Sequence, residues 1–121
     1  MEKTILAIDD DKAFLSTLRD IFEPEGFDLK TLSDSTKAEE YIDKYHPDLL
    51  IIDIFMPGRS GFNLLEDFKD KGLYQNLPKI FLTCLDDDVE KMTARSCGVE
   101  HYVTKPFQPE ELIRRIKKIL A

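Results

Sequence analysis

The sequence predicts an α/β fold: a doubly wound, five-stranded parallel sheet with strand order 2-1-3-4-5. Three observations predict it. Five short apolar runs of strand length alternate with segments of helical periodicity along the chain. The strongest runs are continuous rather than alternating, as strands covered on both faces are. The 121 residues suit one domain and contain no linker, internal repeat or low-complexity stretch. Parallel strands need crossover connections, and alternating helices supply them on both faces of the sheet.

Taken in order, Thr4 to Ile8 is the first strand. After the acidic run Asp9, Asp10 and Asp11, the residues Phe14, Leu15, Leu18, Ile21 and Phe22 recur at helical spacing, and Pro24 and Gly26 end that helix. Phe27 to Leu32 is a more polar strand that suits an edge. Ser35 is placed to cap a second helix with Ala38, Tyr41, Ile42 and Tyr45 on one face, and His46-Pro47 stops it. Leu49 to Ile52 is the strongest buried strand and ends at Asp53. A Pro/Gly loop from Met56 to Gly61 leads into a third helix, marked by Phe62, Leu64, Leu65 and Phe68 and closed near Gly72. Lys79 to Thr83 is the fourth strand. A weaker helical pattern from about Asp88 to Cys97 stops at Gly98. His101 to Thr104 is the fifth strand. Pro109 fits the first turn of a last helix that buries Leu112, Ile113, Ile116 and Leu120.

Hydrophobic residues make up 42% and charged residues 34%, so a compact core is expected and disorder is not. Acids outnumber bases 24 to 17, for a net charge of −7. Such a chain repels phosphate and makes a poor general nucleic-acid binder. No apolar run approaches the ~20 residues that span a bilayer, and the first residues lack the pattern of a signal peptide. Cys84 and Cys97 form no metal-type pair and are too few for a disulfide scaffold, which fits reduced thiols in a cytoplasmic protein. The acidity is uneven: Lys105 to Ala121 holds five bases and two acids, and the first 104 residues hold 12 bases and 22 acids.

Polar groups fall where the fold places a ligand. Doubly wound sheets bind ligands beyond the carboxyl ends of the strands, where the strand order reverses. The first strand ends in Asp9 and Asp10, the third in Asp53, the fourth in Thr83, the fifth in Thr104 and Lys105. Three gathered carboxylates raise each other's pKa unless a cation neutralises them. Oxygen-only ligands suit a hard ion, and Mg2+ fits best because it takes few carboxylates and keeps several waters. A lysine and a hydroxyl opposite would complete a cage for a phosphoryl group. No glycine-rich phosphate loop follows the first strand, which weakens a nucleotide-binding reading.

Five segments carry a family resemblance in order and at consistent spacing: Ile5 to Asp10, Asp48 to Asp53, Met56-Pro57 with Gly61, Phe81 to Thr83, and Tyr102 to Phe107. On these the chain resembles the receiver domain of two-component response regulators, one phosphoacceptor domain over residues 1–121 with a flavodoxin-like (βα)5 fold. The resemblance implies that Asp53 accepts a phosphoryl group from the phosphohistidine of a sensor histidine kinase or phosphotransfer protein. It implies that Asp10, Asp53 and the backbone carbonyl of Phe55 bind Mg2+, with Mn2+ as a substitute ion, and that Asp9 does so mainly through water. Lys105 is then the partner of the phosphoryl oxygens, Thr83 the hydroxyl that moves to them, and Tyr102 the aromatic that reports the change. The Lys105-Pro106 peptide is cis in this family. A carboxylate is a weak nucleophile, and such a cage makes its phosphorylation feasible by holding charge on the transferred group.

Further positions follow from the same resemblance. Phe55 and Leu85 flank the path of attacking water, and their bulk implies slow self-hydrolysis. The alternative is that they pack on neighbouring loops. Lys91, Glu111 and Arg115 match charged positions of a dimer face formed by the fourth helix, fifth strand and fifth helix, and Glu100 offers another acid. His101 departs from the pattern, since an aspartate is usual there.

Other residues read more simply. Asp11 is a solvated N-cap, Asp86 to Asp88 cap and charge the fourth helix, and Thr104 completes its strand. His46 and His101 are solvent-facing, with no zinc-like spacing. Cys84 is a packed thiol. Arg114, Arg115, Lys117 and Lys118 complement the dipole of the last helix. Two rivals fit less well. An aspartate-nucleophile phosphohydrolase shows a second aspartate two residues after the first, where Phe55 stands, and usually needs a cap domain. A flavin module needs a hydroxyl- and glycine-rich loop after the first strand. The expected protein is a cytoplasmic switch and not an enzyme, either stand-alone or part of a longer regulator. Nucleic acid enters as a partner only through an effector beyond this domain.

Overall fold

The apolar runs fold as strands and the periodic segments as helices. The computed structural model describes residues 2–84, 88–99 and 101–121. Leu85, Asp86, Asp87 and Glu100, which carry expectations above, lie outside the described residues. In chain order the elements are β1 (Thr4–Ile8), α1 (Lys12–Phe22), β2 (Asp28–Leu32), α2 (Ala38–Tyr45), β3 (Leu49–Ile52), α3 (Gly61–Lys71), β4 (Lys79–Thr83), α4 (Asp88–Ser96), β5 (His101–Thr104) and α5 (Pro109–Ile119). The sheet order is β2-β1-β3-β4-β5, with every neighbouring pair parallel.

Side chains alternate across this sheet and build two cores. On one face Leu6, Ile8, Leu50, Ile52 and Phe81 pack with Ala38 and Ile42 of α2, with Leu64, Leu65 and Phe68 of α3 and with Ala94 of α4. On the other face Ile5, Ala7, Leu49, Ile51, Ile80 and Leu82 pack with Leu15, Leu18 and Phe22 of α1 and with Leu112, Ile113 and Ile116 of α5. Burying one Leu or Ile side chain is worth ~1.5–3 kcal/mol. Both faces are apolar here, so alternation alone does not pin the register. The turn chemistry and the fit of each face to its helices do that work.

The local signals hold with a few corrections. Asp11 caps α1, its carboxylate accepting from the Phe14 N–H at 3.1 Å. Ser35 does not cap the second helix. Asp34 accepts from the Thr36 N–H and opens a 3-10 turn, Ser35–Lys37, that leads into α2. Ser35 is instead buried and donates to the Arg59 carbonyl at 2.6 Å. A short-range capping rule does not see an acceptor 24 residues away. Ser60 caps α3, and Gly72, in the left-handed region at φ 66°, closes it. Leu120 is only half-buried, packed against the core just past the end of α5 at Ile119. Cys84 is exposed rather than packed, since it lies just past the buried end of β4. His46 is exposed, whereas His101 is half-buried at the start of β5. Among the described residues, no helix is long and apolar enough to cross a membrane.

Candidate functional site

Strand register assembles the site. Ile8 pairs with Ile52, so Asp9 and Asp53 emerge side by side at the carboxyl edge. Their backbones are held by bonds that continue the ladders: the Asp53 N–H donates to the Ile8 carbonyl at 3.0 Å, and the Asp9 N–H to that of Leu32 at 3.1 Å. Thr83 pairs with Thr104, and the Lys105 N–H donates to the Thr83 carbonyl at 2.7 Å. Residues far apart in sequence therefore converge on one end of the central strands. The Lys105-Pro106 peptide is cis.

Carboxylate oxygens of Asp9, Asp10 and Asp53 lie within 4.8 Å of one another. Asp9 is buried, Asp53 half-buried and Asp10 exposed. The Lys105 ammonium meets Asp9 Oδ2 at 2.8 Å, and Asp9 Oδ1 accepts from the Asp11 N–H at 2.9 Å. Both Asp9 oxygens are thus engaged within the protein. The Asp53 carboxyl is pushed up to about 6, first by burial and then by the charge of Asp9, with a smaller push from Asp10. Lys105 and the Ile54 N–H act in the opposite direction. Crowded, partly desolvated carboxylates of this kind fit a hard cation: the donors are all oxygen, and a dication removes the repulsion that raises Asp53.

That burial, with the neighbouring carboxylate charge, has a measurable consequence for the metal-free chain. The folded state holds the Asp53 proton more tightly than the unfolded chain does, whose value is 3.8. The carboxyl therefore costs nothing below about pH 4, and its cost grows as pH rises through about 6. With a chelator present, Asp53→Asn should exceed the wild type by about 1 kcal/mol near pH 7.5, allowing for solvent screening, and match it near pH 4. Thermal melts at both pH values check this, and equal stability at pH 7.5 would count against crowding at Asp53.

Behind the carboxylates, the Thr83 side chain is fully buried. Its Oγ1 has no hydrogen-bond partner among the described residues. A hydroxyl left unmade in a core costs about 1–3 kcal/mol, which asks for a reason. Phe81 stands edge-on to Tyr102 at 6.4 Å and to Phe62 at 5.4 Å. Tyr102 is half-buried, with the Lys91 ammonium 5.9 Å from its ring centre. Arg115 reaches Glu111 of its own helix at 3.8 Å. Phe55 is 53% exposed.

Two features of the site had no distinct signal in the sequence. Arg59, read only as a loop residue, ties the loop after Asp53 to its neighbours. Its guanidinium bonds Glu39 of α2 at 2.6 and 2.9 Å and Asp67 of α3 at 2.9 Å. Phe14, read as part of the apolar stripe of α1, has its ring centre 3.8 Å from the Lys105 ammonium. A surface cavity of about 680 Å³, lined by Lys79, His101, Arg115 and Lys118 among others, lies at the amino ends of β4 and β5, away from this chemistry.

Comparison with known proteins gives the following. A family model described as the response regulator receiver domain matches residues 5–117. The regulatory protein VanRc of Enterococcus gallinarum is 34% identical over 117 residues, 97% of this chain and 49% of that protein. The aerobic respiration control protein ArcA of Escherichia coli K12 is 33% identical over 117 residues, 97% of this chain and 48% of that protein. The chain spans about half the length of the curated relatives it matches. A CheY-like response regulator receiver domain protein from Methanospirillum hungatei has a TM-score of 0.89 at 29% identity, covering 99% of this chain and 94% of that one. The Vibrio cholerae chemotaxis protein CheY4 has a TM-score of 0.90 at 24% identity over 99% of this chain and all of that one, a likeness of fold alone.

Proposed function

The chain belongs to the response regulator receiver domain family, and from that premise we propose that it is a Mg2+-dependent phosphoacceptor switch whose acceptor is Asp53. The observation that carries this reading is the convergence of Asp9, Asp10, Asp53 and Lys105 beside a buried Thr83 hydroxyl that has no partner among the described residues. The donor is the phosphohistidine of a sensor histidine kinase or of a phosphotransfer protein. An Asp53 carboxylate oxygen attacks the phosphorus. The O–P bond forms, the N–P bond breaks, and its electron pair stays with the imidazole nitrogen. Reversal by water breaks the O–P bond, releases inorganic phosphate and restores the carboxylate.

Asp10, Asp53 and the Phe55 carbonyl would hold Mg2+, or Mn2+ in its place. Asp9, with both oxygens already engaged, would act through water. When bound, the ion supplies positive charge that offsets the crowded carboxylates and the transferred phosphoryl oxygens. The chain's own residues do the rest. Lys105 turns from Asp9 toward the phosphoryl oxygens. The group on Asp53 carries about two negative charges, and the Thr83 hydroxyl, which has no partner among the described residues, finds an acceptor in it. Movement of Thr83 frees space that lets Tyr102 turn inward, which changes the surface of α4, β5 and α5. The protein acts as a stoichiometric cytoplasmic switch rather than an enzyme. Its net charge keeps this domain off nucleic acid, and DNA becomes a partner only through an effector in a longer protein. Intact mass after incubation with acetyl phosphate and Mg2+ tests the reading, and no phosphoryl gain on the wild-type chain overturns it.

Two further outcomes follow from it. Phe55, exposed beside the acceptor, screens the phosphoryl group from water, with Leu85 as its expected counterpart. Replacing both with polar residues should speed phosphate loss about fivefold, ~1 kcal/mol of barrier. Unchanged decay of the isolated phosphoprotein would remove that role. A homodimer through α4, β5 and α5 would use Lys91, Glu111 and Arg115, with the Glu111–Arg115 pair within one helix exchanging for contacts between copies. Light scattering with and without beryllofluoride, a phosphoryl mimic, should read dimer and monomer respectively, and a monomer in both states would exclude it.

A further inference from the structure

The carboxylate site contains a closed ring of contacts that includes an aromatic side chain. Asp9 Oδ1 accepts from the Asp11 N–H at 2.9 Å, and Asp11 Oδ1 accepts from the Phe14 N–H at 3.1 Å. The Phe14 ring centre lies 3.8 Å from the Lys105 ammonium, and that ammonium returns to Asp9 Oδ2 at 2.8 Å. Phe107, two residues after Lys105, stands edge-on to Phe14 at 6.2 Å and 89°. The N-cap of α1 thus anchors the Phe14 backbone, and the ring and the Asp9 carboxylate both hold the ammonium.

The geometry points to Phe14 as a positioning residue for Lys105, one that holds the ammonium over its ring face so that its N–H groups stay directed into the carboxylate site. A lysine side chain has four rotatable bonds and a strongly hydrated head. Left alone on a half-exposed edge it would spend much of its time in water. The negative face of a phenyl ring attracts the ammonium and excludes water from one side of it. The ring accepts no directed hydrogen bond comparable to that of a carboxylate. The ammonium therefore stays near the site and can leave Asp9 for a phosphoryl oxygen on Asp53 without first shedding water. This role rests on the phosphoacceptor reading, and its test separates the two.

The experiment compares Phe14→Leu, which keeps most of the volume without the ring quadrupole, with Phe14→Trp, which strengthens it. The first readout does not depend on phosphorylation. The Phe14 ring current should shift the Lys105 ε-methylene protons upfield in the wild type and not in Phe14→Leu, and an unshifted wild-type resonance overturns the contact itself. The second readout is the rate constant for phosphorylation at saturating acetyl phosphate and Mg2+. Phe14→Leu should slow it roughly 3- to 10-fold, the scale of a lost desolvated cation–ring contact. Phe14→Trp should stay within about twofold of the wild type. In a Lys105→Met background, Phe14→Leu should have no further effect, because there is no ammonium to position. A wild-type rate for Phe14→Leu, equal slowing by Leu and Trp, or undiminished slowing in the Lys105→Met background each overturns the proposal. A wild-type chain that takes up no phosphoryl group while retaining the upfield shift overturns the phosphoacceptor reading, and the role of Phe14 falls with it.

Discussion

Incubated with acetyl phosphate and Mg2+, the wild-type chain should gain one phosphoryl group, and Asp53→Ala and Asp53→Asn should gain none. The neighbouring acids are not substitutes. Asp9 has one oxygen on Lys105 and the other on the Asp11 N–H, so attack from it would first break both contacts. Asp10 is exposed, and Lys105 pairs with Asp9 rather than with it. Asp53 alone extends from the central strand β3 beside Asp9, half-buried and close enough to Lys105 to feel its charge. The linkage should be an acyl phosphate, lost on treatment with hydroxylamine, which a serine or threonine phosphate survives. Phosphoryl gain on Asp53→Ala at the wild-type rate would place the acceptor elsewhere. Loss of gain in Asp53→Ala with the protein still folded would leave Asp53 as the acceptor.

Gly61→Ala should be the most damaging single-methyl change near the site. A Cβ at Gly61 would stand 2.6 Å from the Asp53 carbonyl oxygen, 3.0 Å from the Ile54 Cα and 3.1 Å from Phe81 Cε1. Two of those three atoms are backbone, so no flexible side chain is available to yield. The Gly61 N–H also donates to the Ile54 carbonyl at 2.7 Å, drawing the start of α3 against the end of β3. Relief requires moving α3 or the acceptor loop, which should cost about 2–4 kcal/mol and lower the melting temperature by roughly 10 °C. Gly26→Ala is the control. Gly26 has φ 85° with nothing within 4 Å of an added Cβ, so it should lose only about 1 kcal/mol, from backbone strain alone. Equal losses at the two positions would mean that the close approach at Gly61 is not a constraint. Because the displaced atom is the Asp53 carbonyl, Gly61→Ala should also slow phosphorylation in whatever fraction remains folded.

The elements most legible in the sequence are those whose stability is local or symmetric. Leu49 to Ile52 is apolar on both faces and ends in a charge, so a buried strand and its end are read together. β1 was legible for the same reason, and the α3 stop at Gly72 because a left-handed residue there suits glycine. Less was legible where a residue's partner is remote. Ser35 looks like a cap because Ser before an apolar stripe often is one, yet its hydroxyl serves the Arg59 carbonyl. Phe14 fits the apolar stripe of α1 and gives no hint of Lys105, 91 residues later. Arg59 in a Pro/Gly loop could have been any solvated base, and its clasp on Glu39 and Asp67 depends on how α2 and α3 flank that loop.

By itself, then, the sequence determined the alternation of strand and helix, the polar residue that ends each strand, and the charges available at the edge. Each is written within one turn or one strand, where the 2-residue and 3.6-residue periods decide which side chains face the core. The gathering of those ends at one edge was expected from the strand order, and only the tertiary structure decided which side chains pair there. Strand order and register, fixed by the packing of two whole cores, set Asp9 against Lys105 across 96 positions of sequence. The same packing sealed the Thr83 hydroxyl away from any partner among the described residues and pushed the Asp53 carboxyl up to about 6. Those properties arise from burial and from distances between remote groups, which no local pattern of residues encodes.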